Sequence, residues 1–239
     1  MNRAAQLACV WTGPVMIVVW VVSWVLLAQF IPPPSPEKTP QEVVEFYAGR
    51  LDEIRLGMLL TLFASALLVP FAAVIAAQMR RIEGERSVLA QIQLVSAGLL
   101  SLEFIIPLLV FQTAAYRLDA ESARMIQMLN DLGWLLFVGV ISSAVVQFAA
   151  IGVAILLDRG DPPVFPRWAG YFNLWVALLV SPAGIVPFFK SGPFAWNGLL
   201  AFYVPLAVFA AWIAVMVVIL RRAIATDIVP SHQGAAYGR

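Results

Sequence analysis

Charge is scarce in this sequence. Only 12% of its 239 residues are Asp, Glu, Lys or Arg, about half the share usual in a soluble domain. A soluble protein of this size cannot clothe its surface with so few charges, so lipid is the expected solvent for most of the chain. Cysteine and histidine are scarcer still. Cys9 is the one cysteine, which excludes an internal disulfide, and His232 is the one histidine, in a polar C-terminal stretch. A bis-histidine haem, an iron–sulfur cluster or a His-based copper or iron site needs more such ligands than one chain provides. No cofactor and no metal are therefore expected. The only lysines, Lys38 and Lys190, fall between apolar blocks, so none is placed for a Schiff base inside a bundle. The G-x-G-x-x-G, Walker and G-x-S-x-G patterns are absent. A net charge of +1 leaves no global field for nucleic acid.

What the chain has instead is apolar length. Hydrophobic residues make up 62%, in blocks of spanning size at residues 10–30, 56–79, 88–116, 132–157, 168–188 and 199–220. This predicts an all-α polytopic membrane bundle of six transmembrane helices over residues 1–222, with a polar cytoplasmic tail at 223–239. The first block follows Arg3 as a secretory signal would. It is longer than a signal's apolar region and no A-x-A-type site follows, so it is read as a retained span.

The connections differ in character. The first opens with Pro32, Pro33, Pro34 and Pro36, a stiff extended run. Thr39 and Pro40 then read as a helix start, with Thr39 as N-cap. Val43, Val44, Phe46, Tyr47, Leu51 and Ile54 give that short helix an apolar face suited to the membrane surface. Orientation follows from Lys and Arg. With the N-terminus inside, the inner segments hold nine positive residues, including the span-end pairs Arg80-Arg81 and Arg221-Arg222, and the outer segments hold six. The bias favours both termini on the cytoplasmic side. Phe71-Ala72-Ala73, Phe148-Ala149-Ala150 and Phe209-Ala210-Ala211 form a weak repeat on the even-numbered spans. Three duplicated hairpins would give it, and so would chance in Ala-rich spans.

Glu103, near the middle of the third span, carries the strongest chemical signal. A charged carboxylate at the bilayer centre costs about 2.5–3.5 kcal/mol on insertion scales, so it is expected to face the bundle interior. Ser65, Ser142, Ser143 and Ser181 fall near the same depth, with Gln147 a turn further in, and Pro107 one turn away is expected to loosen the helix. Two readings stand side by side: a group that titrates or orients a ligand, and a neutral acid whose hydrogen bond fixes packing. Asn130-Asp131 beside Trp134 reads either as a second polar site or as a helix start capped by Asp131. In the fifth span Asn173, Ser181 and Pro182 suggest a break that leaves the Leu178 carbonyl without its donor and either lines a cavity or serves helix packing. Trp168 and Trp196 suit interfacial anchors.

The runs Phe165-Pro166-Arg167-Trp168-Ala169-Gly170-Tyr171 and Pro187-Phe188-Phe189-Lys190-Ser191-Gly192-Pro193 are distinctive. Together with Gln78-Met79-Arg80-Arg81 and Asn130-Asp131-Leu132-Gly133-Trp134, they resemble a family of bacterial multi-pass integral membrane proteins with no assigned activity. The resemblance implies a bacterial cytoplasmic (inner) membrane location and carries over no site residues. The preferred expectation is an intramembrane cavity for a lipophilic small molecule, with Glu103, Ser65, Ser143, Gln147, Asn173 and Ser181 as its candidate polar contacts. The alternative is a non-catalytic subunit that packs against a partner membrane protein carrying the chemistry. An enzyme would need a second group paired with Glu103, and none is evident.

Overall fold

The chain is a multi-pass helical bundle with six helices long and apolar enough to cross a membrane. The computed structural model describes residues 2–84 and 86–226, so His232 and residues 227–239 of the expected tail lie outside the described residues. The first span is α1 (Arg3–Val21), capped by the Asn2 side chain and ending in a wider π-helical turn, Val22–Leu27. After α2 (Pro40–Ala48), the second span runs through α3 (Leu51–Ser65) and α4 (Leu68–Glu83), and the third is α5 (Val88–Tyr116). The fourth joins α6 (Ala123–Gly139) to α7 (Ser142–Leu157). The fifth is α8 (Arg167–Val180) tightening into a 3-10 helix, Ser181–Phe188, and the sixth opens with a π-helical turn, Leu199–Tyr203, before α9 (Val204–Thr226). Helices are the natural solution here, since lipid offers no partner to an unpaired backbone group. Apolar side chains left on the outside, such as Phe63 at 67% and Leu26 at 64% exposure, form the lipid-facing surface.

Several boundaries differ from the sequence expectation, each for a local reason. The fourth span begins nine residues early because Ser122 caps α6 by accepting from the Met125 amide. Asp131 therefore sits in the third turn and caps nothing. In the fifth span the Leu178 carbonyl is not orphaned by Pro182, because the tightening helix brings the Ser181 amide onto it. Pro107 leaves α5 unbroken over its 29 residues; α4, α6 and α7 pack along the helix and hold it. Helix α9 continues to Thr226, so the first residues allotted to the tail are helical.

Thr39 caps α2 as expected, and the cap proves to be a reciprocal capping box. Thr39 Oγ accepts from the Glu42 amide, and the Glu42 carboxylate accepts at 2.7 Å from both the Thr39 amide and hydroxyl. Those bonds hold the Glu42 carboxyl below the usual carboxylate range. The apolar face of α2 packs on α6 instead of meeting lipid alone: Val43 and Tyr47 are buried, and the Tyr47 hydroxyl donates to Asn130 Oδ1. Burial, with the Asp131 charge nearby, pushes the Tyr47 phenol up and keeps it neutral. Trp196 is likewise not an interfacial anchor. It is 5% exposed, and its indole N–H donates to the Pro34 carbonyl at 2.8 Å, tying the fifth connection to the first. Trp168, 53% exposed, remains free to lie at the interface.

Helices α7 and α8 approach each other closely. A Cβ on Gly152 would lie 2.9 Å from the Gly170 carbonyl oxygen, and one on Gly170 would lie 3.1 Å from that of Gly152. Small residues at this crossing let the two backbones touch.

Candidate functional site

Three spans depart from regular α-helix, and the fourth alone leaves helical φ/ψ. The second breaks at Ala66 and Leu67, where the Ser65 carbonyl loses its helical donor and accepts instead from Ser101 Oγ at 3.0 Å. The fourth breaks at Val140 and Ile141, with φ/ψ of −88°/96° and −124°/1°. The fifth changes pitch at Ser181, and Gly184 approaches Ile141 so closely that an added Cβ would meet its side chain at 3.4 Å. Breaks of this kind are tolerated where protein covers the backbone or a cavity forms.

A cavity does form there, of about 100 Å³. Five of the six spans line it. Trp20 comes from the first span, Phe104 from the third, and Phe137, Ile141 and Phe148 from the fourth. Ala183 belongs to the fifth and Phe202 and Phe209 to the sixth. All sixteen lining residues are apolar or indole, which sets the chemistry of anything held there. Val140, also in the wall, is 37% exposed, so the wall reaches the outer surface of the bundle at the break in the fourth span. The cavity is embedded in a continuous set of ring contacts. Trp20 meets Phe104 edge-on at 4.7 Å, Trp24 stacks on Phe137 at 4.5 Å, and Trp134 meets Trp24 at 5.7 Å and Phe30 at 5.6 Å. Such pairs add about 0.5–1.5 kcal/mol each beyond the area they bury, so the wall is firm.

The weak repeat acquires a spatial meaning. Phe71, Phe148 and Phe209 all contact one indole, Trp212, at 5.7, 4.9 and 5.8 Å between ring centroids. Two of the three rings, Phe148 and Phe209, are also in the cavity wall. This aromatic constellation is what sequence reading missed. The Phe-Ala-Ala pattern was its only trace, and no rule says that rings on separate spans will converge.

None of the six polar candidates lines the cavity. Glu103 and Ser143 do come together: Ser143 Oγ donates to Glu103 Oε2 at 2.6 Å, and the Ser143 amide also faces the carboxylate. Ser143 is the second residue of α7, so Glu103 acts as an N-terminal cap supplied from another helix, an acid at a positive helix end. Its side chain is only partly buried, beside the exposed Leu102 and Ile106, so it lies at the edge of the α5–α7 contact and not at the bundle centre. Ser65 and Ser181 bond back to the Thr61 and Ala177 carbonyls of their own helices. Asn173 is fully engaged, donating to the Ala169 carbonyl and accepting from the Trp212 indole at 2.8 Å. Gln147 alone is buried with neither amide atom partnered. It sits on α7 between Ala144 and Phe148, both in the cavity wall, and Trp20 Nε1 in that wall is also buried without a partner. Among the described residues no group of three or more His, Cys, Asp or Glu gathers to hold a metal. No protein-family model, curated protein or solved structure matches this chain.

Proposed function

We propose that the bundle binds or carries a lipophilic small molecule within the membrane, with its apolar part in the central cavity. The observation that carries this reading is the cavity itself, built from five spans, the fourth and fifth of them interrupted beside it, and lined by apolar and aromatic side chains. An apolar cavity of this order is large enough to accept a single small ring: an engineered one of about 150 Å³ stays dry and takes up benzene. The Trp20 indole, buried in the wall without a partner, favours a ligand carrying one polar atom, since a buried group without a partner costs about 1–3 kcal/mol. The nine-to-six excess of positive residues and the family resemblance support a bacterial cytoplasmic membrane with both termini cytoplasmic.

A second reading, a subunit that packs against a partner membrane protein, draws on Glu103. A partly exposed carboxylate among lipid-facing leucine and isoleucine is a feature that a protein neighbour would cover. Native mass spectrometry after gentle extraction separates the two. The first reading expects a bound small molecule that is lost from an Ala183→Leu, Ala201→Leu variant with unimpaired melting. A stoichiometric second polypeptide and an empty cavity would overturn it in favour of the second.

A further inference from the structure

The described charges are divided unequally between the two ends of the bundle. The end bearing the N-terminus has eight arginines and three carboxylates, while the opposite end has six cations and eight carboxylates. The excess is concentrated at one corner, where α1, α4 and α9 pack together. A chain of buried amides fixes that corner. Gln78 Nε2 donates to Gln6 Oε1 at 2.6 Å, and Arg81 donates to Gln78 Oε1 and to the Ala223 carbonyl at 2.6 and 2.8 Å. With Arg81 committed to this framework, Arg3, Arg80, Arg221 and Arg222 are left exposed on three adjoining helix ends. Among the described residues none of those four forms an ion pair, and Glu83, itself exposed, is the one described carboxylate on these helix ends. The Arg221 guanidinium lies 5.6 Å from the Trp11 ring, and Trp11 is half exposed. From Trp11 an apolar path continues toward the membrane centre along Val15 and Val18 on α1, both exposed, with exposed Val218 on neighbouring α9. A cluster of exposed arginines thus stands above an indole and an apolar track.

We propose that the α1–α4–α9 corner is a binding site for an anionic phospholipid, with the phosphate held by Arg80, Arg221 and Arg222 and an acyl chain lying along Trp11, Val15 and Val18. Phosphate suits the guanidinium fork, which donates two parallel hydrogen bonds. The track below distinguishes a lipid from a free anion, because inorganic phosphate has nothing to place there. Basic clusters at the ends of membrane helices attract anionic headgroups by roughly five-fold in affinity per residue.

The test is a titration of the delipidated full chain in detergent with phosphatidylglycerol, phosphatidylcholine or inorganic phosphate, read as bound species by native mass spectrometry. One phosphatidylglycerol per chain is expected, with phosphatidylcholine at least tenfold weaker. Arg80→Gln, Arg221→Gln, Arg222→Gln should weaken the anionic lipid on the order of a hundredfold, and Trp11→Ala should weaken it while leaving headgroup preference intact. A control, Arg159→Gln, Arg167→Gln, removes charge from the same end but outside α1, α4 and α9, and should leave the first lipid bound. Equal binding of the two lipids overturns the proposal, and so does equal loss in the control, which would mean a diffuse surface potential. Inorganic phosphate competing as well as the lipid would identify a free-anion site instead. If the triple variant does not fold, Arg222→Gln and the wild-type headgroup comparison decide the matter.

Discussion

The contact between Glu103 and Ser143 has an energy that can be worked out before it is measured. Intramembrane hydrogen bonds average roughly 0.6 kcal/mol and reach about 1.7, and an acid at a partly buried helix N-terminus adds about 0.3–2 kcal/mol. The 2.6 Å bond places this pair toward the upper part of the first range, while partial exposure of the carboxylate keeps the second modest. Ser143→Ala removes the hydroxyl but leaves the backbone amide, so it should cost about 1 kcal/mol. Glu103→Leu removes both interactions and should cost about 2 kcal/mol, whereas Glu103→Gln keeps an acceptor and should cost less than ~1 kcal/mol. The double variant, Glu103→Leu with Ser143→Ala, should be scarcely worse than Glu103→Leu alone, a coupling of about 1 kcal/mol. Reversible unfolding in bicelles, with all four corners of the cycle measured under one condition, gives that coupling directly. Strict additivity within about 0.3 kcal/mol would refute the bond between the two side chains. So would a Glu103→Leu variant that melts like the wild type but loses a bound ligand; that result would return Glu103 to the ligand site.

Two further outcomes are expected. Because the folded-state pKa of Glu42 is lowered by its bonds from Thr39, its support for α2 is present above the unfolded pKa and disappears as pH falls through the folded one; amide exchange over residues 40–48, corrected for intrinsic rate, should quicken on acidification in the wild type and lose that pH dependence in Glu42→Gln. In a Cys9→Ser background, cysteines at Ser35 and Ser191 should react with an impermeant thiol reagent in intact cells while one at Ser87 stays protected, and the opposite pattern would invert the assigned orientation.

Length and apolarity made the six spans legible, because an uncharged apolar run of about twenty residues matches the thickness of a bilayer and exceeds what a soluble core can hide. Thr39 with Pro40 was equally legible: a cap and a pre-set φ are local properties. Of the interruptions, that at Ser181 and Pro182 was legible and the others were not. Pro107 reads as a helix breaker yet sits inside an unbroken helix, while Val140 and Ile141, both apolar and β-branched, break the fourth span. What decides these cases is the neighbour that takes up each freed carbonyl or amide, as Ser101 does for Ser65 and Glu103 for α7. Such partners lie 36 and 40 residues away in sequence. Glu103 was singled out by its cost in lipid. Its surroundings were not foreseen, since one residue's rotation about the α5 axis separates the bundle centre from its rim. The cavity left almost no trace, because it consists of rings that share no spacing along the chain.

The separation of the tryptophans into two environments also makes the protein its own optical reporter. Trp20, Trp24, Trp134 and Trp212 are enclosed in the core, whereas Trp11, Trp168 and Trp175 are each at least half exposed on the outside. Brominated acyl chains should quench the second group by contact and leave the first emitting. The enclosed indoles stand within a few ångströms of other rings and at steep angles, Trp24 and Trp134 at 84°, so their transition dipoles couple and near-ultraviolet circular dichroism should carry a signature of that coupling. Trp20 is at once a member of this set and part of the cavity wall. Entry of a molecule beside it changes the colour of its emission without any label having been attached.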